Sequence, residues 1–532
     1  MEKKRAYQRV EWERVIDGII EDRKDLYISI LSTLLRFRTI SIRKPGEDSK
    51  AYQSEFSDAF RYIGHLAEVL ELSVRNHEDM ALVLDWEPET EEGQIEEPIG
   101  IAAHLDVVPE GLGWTYPPFG GTVAEGSIWG RGAQDDKGGL AMTLAAFDVL
   151  RRTGCRPERG LRLLIGTREE TREWEDIDIL VSRGEVPPFV VVPDGSYPVI
   201  NGEKGMVMIQ WDASWENTSG DGASLSPEIE PVYLRGGIMQ NMVPDHAEVL
   251  LRGKKSDEEF IARRLAEVEL TMTDTIRDLD MKMRRHYPGG TNGELVHFEV
   301  ELKGLSAHSA YPEKGHNAVL DALELMQLME AGSPGLRQFC RVLRERCGQL
   351  DGSGFGLDHN HSYTGSTTVN LGVIDISPGN GMARINVRFP FGLTTLEVRE
   401  KIKQAAEQDQ FPPGEIDGAP VVRIDSRICG RAQEPLFVPA EDHRRFLGPL
   451  GEIYREVTGR SEYLDSIPGT TYAKAFDLAV AFGPVDIPGG EEELAHEPDE
   501  RVSVERFLQN IKIYSLALAC LSGLAENPAG NG

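Results

Sequence analysis

Five cysteines in 532 residues, none of them in a Cys-x-x-Cys pair, leave this chain without the material for a disulfide framework or a thiolate metal site. Cys155, Cys340, Cys347, Cys429 and Cys520 are scattered and odd in number, so they read as reduced thiols of a cytosolic protein. Long apolar runs are missing as well. No stretch approaches the roughly 18 apolar residues that a membrane-spanning helix needs. Positive charge is scarce: 57 Lys and Arg stand against 88 Asp and Glu, a net charge of −31. Nucleic acids and anionic membrane surfaces both require a basic footprint, so neither is expected as a partner. Solubility accounts for the acidity without naming a substrate. The first segment, MEKKRAYQRVEWERVIDGII, mixes acids and bases through an amphipathic pattern and has no secretory apolar region or small-residue cleavage site. The expected compartment is the cytoplasm.

At this length one hydrophobic core does not suffice, and more than one domain is expected. Helical periodicity fills the first 75 residues, with Ile16, Ile19 and Ile20, then Leu26, Ile28, Leu31, Leu34 and Leu35 on spaced apolar faces. After the acidic, turn-rich loop EPETEEGQIEE (87–97), three buried-strand patterns follow: IGIAA (99–103), LRLLIGT (161–167) and FVVVPD (189–194). Between the first two lies GGLAMTLAAFDVLRRTG (138–154), a helix stopped by Gly154. Strands alternating with helices predict an α/β fold whose mixed, largely parallel sheet is flanked by helices. Ligands of such sheets gather at the carboxyl ends of the strands. Beyond NGEKG (201–205) the texture changes to amphipathic strands, among them MVMIQWDA, HFEVELKG (297–304), TTVNLGVIDI (367–376) and ARINVRFP (383–390). This middle region reads as an inserted α+β domain. A helix then begins near Glu441, followed by AVAFGP (479–484) and a closing helix (503–523). The expected division is a catalytic domain made of 1–204 and 431–532 around a lid domain of 205–430.

The chemistry-bearing residues come in a definite order. His104-Leu105-Asp106 follows the first buried strand. Asp135 lies in GRGAQDDKG, Glu169-Glu170 follow the second strand, Asp194 follows the third, and His496 lies far downstream. Imidazole nitrogen and carboxylate oxygen suit zinc-type ions. A catalytic pair of metals about 3.5–4 Å apart needs one carboxylate that reaches both. Each signal alone has a plainer reading. A His-x-Asp after a strand also makes a hydrogen-bonded turn, adjacent aspartates cap helices, and paired glutamates form solvated turns. Their joint occurrence at strand ends argues for one site with a spare acid, and therefore for hydrolysis. If His496 joins, the last hundred residues return to the first domain.

The segments HLDVVPEGLGWTYPPF, GRGAQDDKGG, TREET, VVPDGSYPVINGEKG, GLSAHSAYPEKGHNA, GTTYAKAF and AHEPDE together resemble the co-catalytic zinc metallopeptidase family. That family includes aminoacylase, succinyl-diaminopimelate desuccinylase, carnosinase and the bacterial broad-specificity dipeptidases. The resemblance runs from about residue 25 to the C-terminus and is strongest to the dipeptidase branch. It implies that Asp135 bridges two divalent ions, with His104 and Asp194 completing one site and Glu170 and His496 the other. It also implies that Asp106 orients His104, that Glu169 is the general base, and that the Asp135–Asp136 peptide is cis. Zinc is the first choice, and the same ligand set accepts manganese or cobalt.

In the lid, the resemblance implies that His308 stabilises the oxyanion and that Asn241 and Arg388 hold the substrate's carbonyl or carboxylate. The main-chain N–H groups of Gly469-Thr470-Thr471 would meet the same carboxylate. Read from the residues alone, His308 is equally a helix-capping surface histidine, and Arg388 a strand residue paired with a local acid. A duplicated lid implies a monomer, with a dimer as the alternative. Extra segments near 214–230, 284–293 and 345–363 fall in the lid, where specificity is set. The block ETREWEDID lacks the glycine that much of the family has after its second acid, a departure shared by the dipeptidase branch. The expected activity is cleavage of dipeptides and other small free-ended peptides. An N-acyl amino acid deacylase on the same site is the rival, distinguished by an apolar pocket in place of an acidic contact at the substrate's amino end. A non-catalytic binding protein on this fold would lack a ligand or the base, and none is lacking.

Overall fold

A computed structural model of the chain describes residues 2–41, 49–88, 96–154, 157–216, 229–276, 279–288, 294–410 and 421–523. Cys155, most of the acidic 87–97 loop, the larger part of the insertion near 214–230 and half of that near 284–293 lie outside the described residues. The chain folds as two compact units, Met1–Gly202 with Leu436–Gly532, and Glu203–Pro435.

The first unit is built on a nine-stranded sheet. Its strand order is Ser73–His77, Ala81–Trp86, Arg159–Gly166, Glu96–His104, Phe189–Val192, Ala479–Ala481, Val199–Glu203 and Leu436–Phe437, with Leu464–Ile467 also paired to Val199–Glu203. Parallel pairing occupies the centre, where Glu96–His104 lies between Arg159–Gly166 and Phe189–Val192, and Ala479–Ala481 extends the parallel set. Ala81–Trp86 pairs antiparallel with both Ser73–His77 and Arg159–Gly166, and Ala479–Ala481 antiparallel with Val199–Glu203. Composition explains the difference. The central strands are continuous apolar runs whose Ile101, Leu161, Leu163, Ile165, Val190 and Val192 are fully buried, as strands covered on both faces must be.

The helices Glu2–Leu34, Lys137–Arg152 and Val504–Leu521 pack against one another beside this sheet. Lys137–Arg152 is buried on every side from Lys137 to Leu150 and ends in Arg151 and Arg152, cations that suit the negative end of a helix. Its one buried acid past the first turn, Asp148, accepts hydrogen bonds from Arg23 (2.6 Å), Tyr27 (2.8 Å) and Arg152 (2.9 Å). Because the three central strands run parallel, His104, the Glu169–Glu170 turn and Asp194 leave the sheet at one edge. That edge is the carboxyl end the sequence points to.

The second unit is an eight-stranded antiparallel sheet in the order Asp280–His286, Leu295–Lys303, His246–Lys254, Glu230–Gly236, Thr368–Ser377, Asn380–Phe389, Gly205–Ser214 and Arg423–Ile428. Buried and less buried residues alternate along His246–Lys254 and Leu295–Lys303, the mark of a sheet with one core face. Helices Glu258–Thr275, Ala318–Met329, Pro334–Cys347 and Thr395–Gln408 contribute to that core. None of the described helices is long and apolar enough to cross a membrane.

Candidate metal centre

His104 is the last residue of its strand and is fully buried. Its ring is fixed from behind: Nδ1 lies 2.9 Å from the main-chain oxygen of Asp106 and 3.4 Å from that residue's carboxylate Oδ1. The main-chain carbonyl is thus the nearer partner of the two. Such a bond sets the tautomer that leaves Nε2 free to bind a metal. Nε2 lies 2.9 Å from Asp135 Oδ1 and 3.8 Å from Asp194 Oδ2, without the alignment of a hydrogen bond. The second oxygen of Asp135 turns the other way, 3.1 Å from His496 Nε2, which lies 3.1 Å from Glu170 Oε1. Two groups result, His104–Asp135–Asp194 and Asp135–Glu170–His496, each compact enough to hold an ion and sharing one carboxylate.

Asp106 is the pin between them. Its carboxylate accepts the main-chain N–H of Glu169 (3.1 Å) and of Glu170 (3.0 Å) and the hydroxyl of Ser41 (2.7 Å). The residue behind His104 therefore also shapes the turn that presents both glutamates. That turn is fastened again by Asp176, which accepts the N–H groups of Thr167 and Arg168 and the hydroxyl of Tyr472. Trp174, held at a left-handed φ of 53°, donates its indole N–H to the carbonyl of Glu169. The ring of Tyr472 meets His104 edge-on at 5.9 Å. Tyr472 begins the short turn after Gly469-Thr470-Thr471, where Thr470 accepts a hydrogen bond from Lys474 (2.8 Å) and Thr471 caps the turn.

His496 and Asp135 arrive on two loops laced together. Glu500, with no exposed surface, accepts the N–H groups of Gly132 (3.0 Å), Gln134 (2.8 Å) and Asp135 (3.2 Å) and a guanidinium bond from Arg131 (2.7 Å). Arg131 also donates to the carbonyls of His496 and Glu497. The Gln134 side chain bonds the main chain of Glu492, Leu494 and Arg501. His496 sits at a φ of +68°, a region a non-glycine residue occupies only when its surroundings impose it. The Asp135–Asp136 peptide is cis. Asp136 turns inward to accept the main-chain N–H of His104 (3.1 Å), and a Cβ on Gly139 would lie 2.0 Å from its other oxygen. The DDKGG string is thus a packing requirement as well as a ligand motif.

The electrostatics ask for cations. Asp106, Asp135, Glu169, Glu170 and Asp194 converge on two imidazoles. Burial pushes the carboxyls of Glu169 and Asp194 well above their usual range, and neighbouring acids add to the effect. Burial also works against the charged form of Asp135, but His104 and His496 outweigh it and hold that carboxyl low. The Glu170 charge raises His496 to about 11, with Asp135 reinforcing it and burial opposing. The shifts are those of acids crowded together out of water, with the two imidazoles as their nearest positive charges. A His/Asp/Glu donor set of this kind, with a buried imidazole nitrogen left unbonded, fits divalent ions of the zinc type.

The remaining candidates lie in the second unit. The loops carrying Asn241 and His308 are bridged to each other, with Ser309 N–H donating to the carbonyl of Asn241 (2.9 Å) and Met242 paired with His308. Arg388 is fully buried on the strand Asn380–Phe389. Reading the sequence missed Ser41, Arg131, Gln134, Asp176, Tyr472 and Glu500. Of these, Arg131 and Gln134 lie within GRGAQDDKG, Asp176 within ETREWEDID, Tyr472 within GTTYAKAF and Glu500 within AHEPDE, and only Ser41 left no signal.

Residues 100–519 match a protein-family model described as Peptidase family M20/M25/M40. The chain is 28% identical over 502 residues to the "Putative dipeptidase YtjP" of Bacillus subtilis (strain 168), covering 94% of this chain and 98% of that one. It is 28% identical over 444 residues to the "Putative dipeptidase SH1171" of Staphylococcus haemolyticus (strain JCSC1435), covering 81% and 85%. Human carnosine dipeptidase 1 superposes with a TM-score of 0.55 at 13% identity, covering 96% of this chain and all of that one. The di-peptidase Dug1p of Saccharomyces cerevisiae superposes with a TM-score of 0.55 at 10% identity, covering 97% and 99%. At these identities the superpositions establish the fold.

Proposed function

The chain belongs to peptidase family M20/M25/M40 and is a metallopeptidase, and from that premise we propose that it hydrolyses dipeptides and other small free-ended peptides at a dinuclear centre. The observation that carries the reading is Asp135, with one carboxylate oxygen 2.9 Å from His104 and the other 3.1 Å from His496. His104, Asp135 and Asp194 would hold one divalent ion, and Asp135, Glu170 and His496 the second, with zinc first and manganese or cobalt as alternatives. When bound, such ions supply Lewis acidity and make water a competent nucleophile near neutral pH.

Glu169 belongs to neither ligand group yet sits in the same turn as Glu170, buried and held by Asp106 and Trp174. It takes the proton from the attacking water and returns it to the amide nitrogen as the C–N bond breaks. Asp106 keeps His104 and the Glu169–Glu170 turn in register. In the other unit, His308 donates to the developing oxyanion, and Asn241 and Arg388 orient the peptide. A guanidinium is suited to a free carboxylate because it binds both oxygens at once. The Gly469-Thr470 turn offers main-chain N–H groups to the same carboxylate. The names of the bacterial relatives support a dipeptide over an N-acyl amino acid. Composition supports a cytoplasmic protein with no nucleic-acid or membrane partner, and the resemblance to the dipeptidase branch with its duplicated lid supports a monomer, with a dimer as the alternative.

The test is a panel of dipeptides and N-acyl amino acids on metal-reconstituted wild type and Glu169→Ala. Wild type should turn over the dipeptides, and the variant should keep its metal content and lose nearly all turnover. Unchanged turnover in Glu169→Ala would end the proposed mechanism, and turnover of N-acyl amino acids alone would replace the proposed substrate.

A further inference from the structure

The second unit holds two buried carboxamides, Asn386 and Gln433, that make no side-chain hydrogen bond. In its sheet, Thr368 lies opposite Arg388, Arg388 opposite Met206, and Met206 opposite Gln433. The last pair exchanges main-chain hydrogen bonds of 2.9 Å in both directions. Directly opposed residues in antiparallel strands point to the same face, so these four form one row across the sheet. The next row on that face carries Asn370, Asn386 and Met208. The alternate residues, Val369, Val387 and Val207, point the other way into the hydrophobic core.

This second face is polar and nevertheless buried. Arg388 and Asn386 have no exposed surface, Asn370 retains 1% and Gln433 3%. Asn370 has a structural duty: its amide donates to the carbonyl of Met242 (2.8 Å) and so fastens the loop that carries Asn241. Asn386 and Gln433 have none. Both polar atoms of each carboxamide are buried without a hydrogen-bond partner. Unbonded buried amides oppose folding, and an apolar residue of the same shape would serve the fold better.

We propose that Gln433 and Asn386, flanking Arg388 on one sheet face, form a subsite for the carboxylate-bearing residue of a short peptide. The inference rests on the peptidase reading above and extends it to the residues that select the substrate. The chemistry matches: a carboxamide offers one donor group and one acceptor, the complement of a peptide C=O and N–H, while the guanidinium takes the carboxylate. Neither row contains an acid that would repel that carboxylate. Just beyond the insertion near 345–363, buried Thr364 accepts the N–H of Phe391 (3.0 Å), which places this segment at the Arg388 end of the strand.

The test uses Gln433→Leu and Asn386→Leu in the full-length, metal-reconstituted protein. Each should raise KM for L-alanyl-L-alanine about tenfold, the loss expected for one buried hydrogen bond to a ligand, with a smaller effect on kcat. Melting temperature without ligand should stay level or rise, because an unbonded amide has been replaced by an apolar group. A fall in melting temperature with KM unchanged would assign the amides to folding, and no change in either quantity would remove the subsite; both outcomes overturn the proposal. Calorimetric binding of L-alanyl-L-alanine in a Glu169→Ala background repeats the comparison without turnover. A wild-type chain that hydrolyses only N-acyl amino acids would defeat the dipeptidase reading, and KM for those carboxylates would still report on the subsite.

Discussion

Replacing Glu500 by glutamine tests whether the two ligand-bearing loops are positioned by their lacing. Oε1 of Glu500 accepts the N–H groups of Gln134 and Asp135, and Oε2 accepts Gly132 N–H and the Arg131 guanidinium. In Glu500→Gln one of these oxygens becomes an NH2 group, so whichever way the amide turns, two donors face a third. Arg131, only 2% exposed, loses its counter-charge as well. Removing one member of a buried pair costs about 3–5 kcal/mol. Burial raises the Glu500 carboxyl while Arg131 pulls it down, so the native pair already bears a desolvation cost, and the lower end of that range, about 3 kcal/mol, is the expectation. The strain falls on Asp135 and on the carbonyl of His496, so metal affinity should drop roughly 10–100-fold, as losses behind first ligands do. The assay is metal titration against a competing chelator, with thermal unfolding of the metal-free protein alongside. Metal affinity within twofold of wild type, together with an unmoved melting temperature, would refute the claim that these bonds position the centre.

His308→Ala should lower turnover about 10²–10³-fold, the loss typical of one oxyanion donor, with metal content intact by elemental analysis; metal loss would contradict its assignment. Asp176 has its carboxyl raised to about 6, by burial first and by the nearby Asp106 charge, with Tyr472 and main-chain N–H groups opposing. A raised carboxyl means the folded chain binds this proton more tightly. Its stabilising contribution is therefore complete below the unfolded value of about 3.9 and is lost as pH rises through about 6. Asp176→Asn should accordingly flatten the change in urea midpoint between about pH 4 and 6.5, and an unaltered slope would count against it. Gly166→Ala places a Cβ 2.2 Å from the Tyr472 hydroxyl and 2.4 Å from Asp176, so a loss of about 1–3 kcal/mol is expected in denaturant unfolding, and a neutral result would show that this corner yields.

The sequence disclosed what local pattern encodes. IGIAAH, LRLLIGT and FVVVPD announce the parallel centre of the sheet because strands buried on both faces need unbroken apolar runs. His104, Glu170 and Asp194 were legible as one group because those runs end beside them. The antiparallel flanks were less legible. Ser73–His77 reads SVRNH, and Leu436–Phe437 is two residues long, so neither carries a usable period. His496 stood in the series only as a distant histidine, and its pairing with Glu170 came from the family resemblance alone, since nothing local marks a loop histidine as the partner of residues more than 300 positions earlier. The roles of Ser41, Asp176 and Glu500 stayed hidden for a related reason. Each acts through a tertiary approach, and a buried serine or acid looks in sequence like any solvated one.

The position of Ala479–Ala481 in the sheet carries a consequence for biosynthesis. This strand enters between Phe189–Val192 and Val199–Glu203, two strands made nearly 300 residues earlier, and His496 follows it. During translation, everything through the second unit emerges while the first sheet still has a gap in its middle and the centre lacks a ligand. A chain released early by a stalled ribosome or a premature stop is therefore a fragment without His496. On the proposed ligand set, a copy stopped before His496 would lack one of the two imidazoles beside Asp135 and should be inactive as a peptidase.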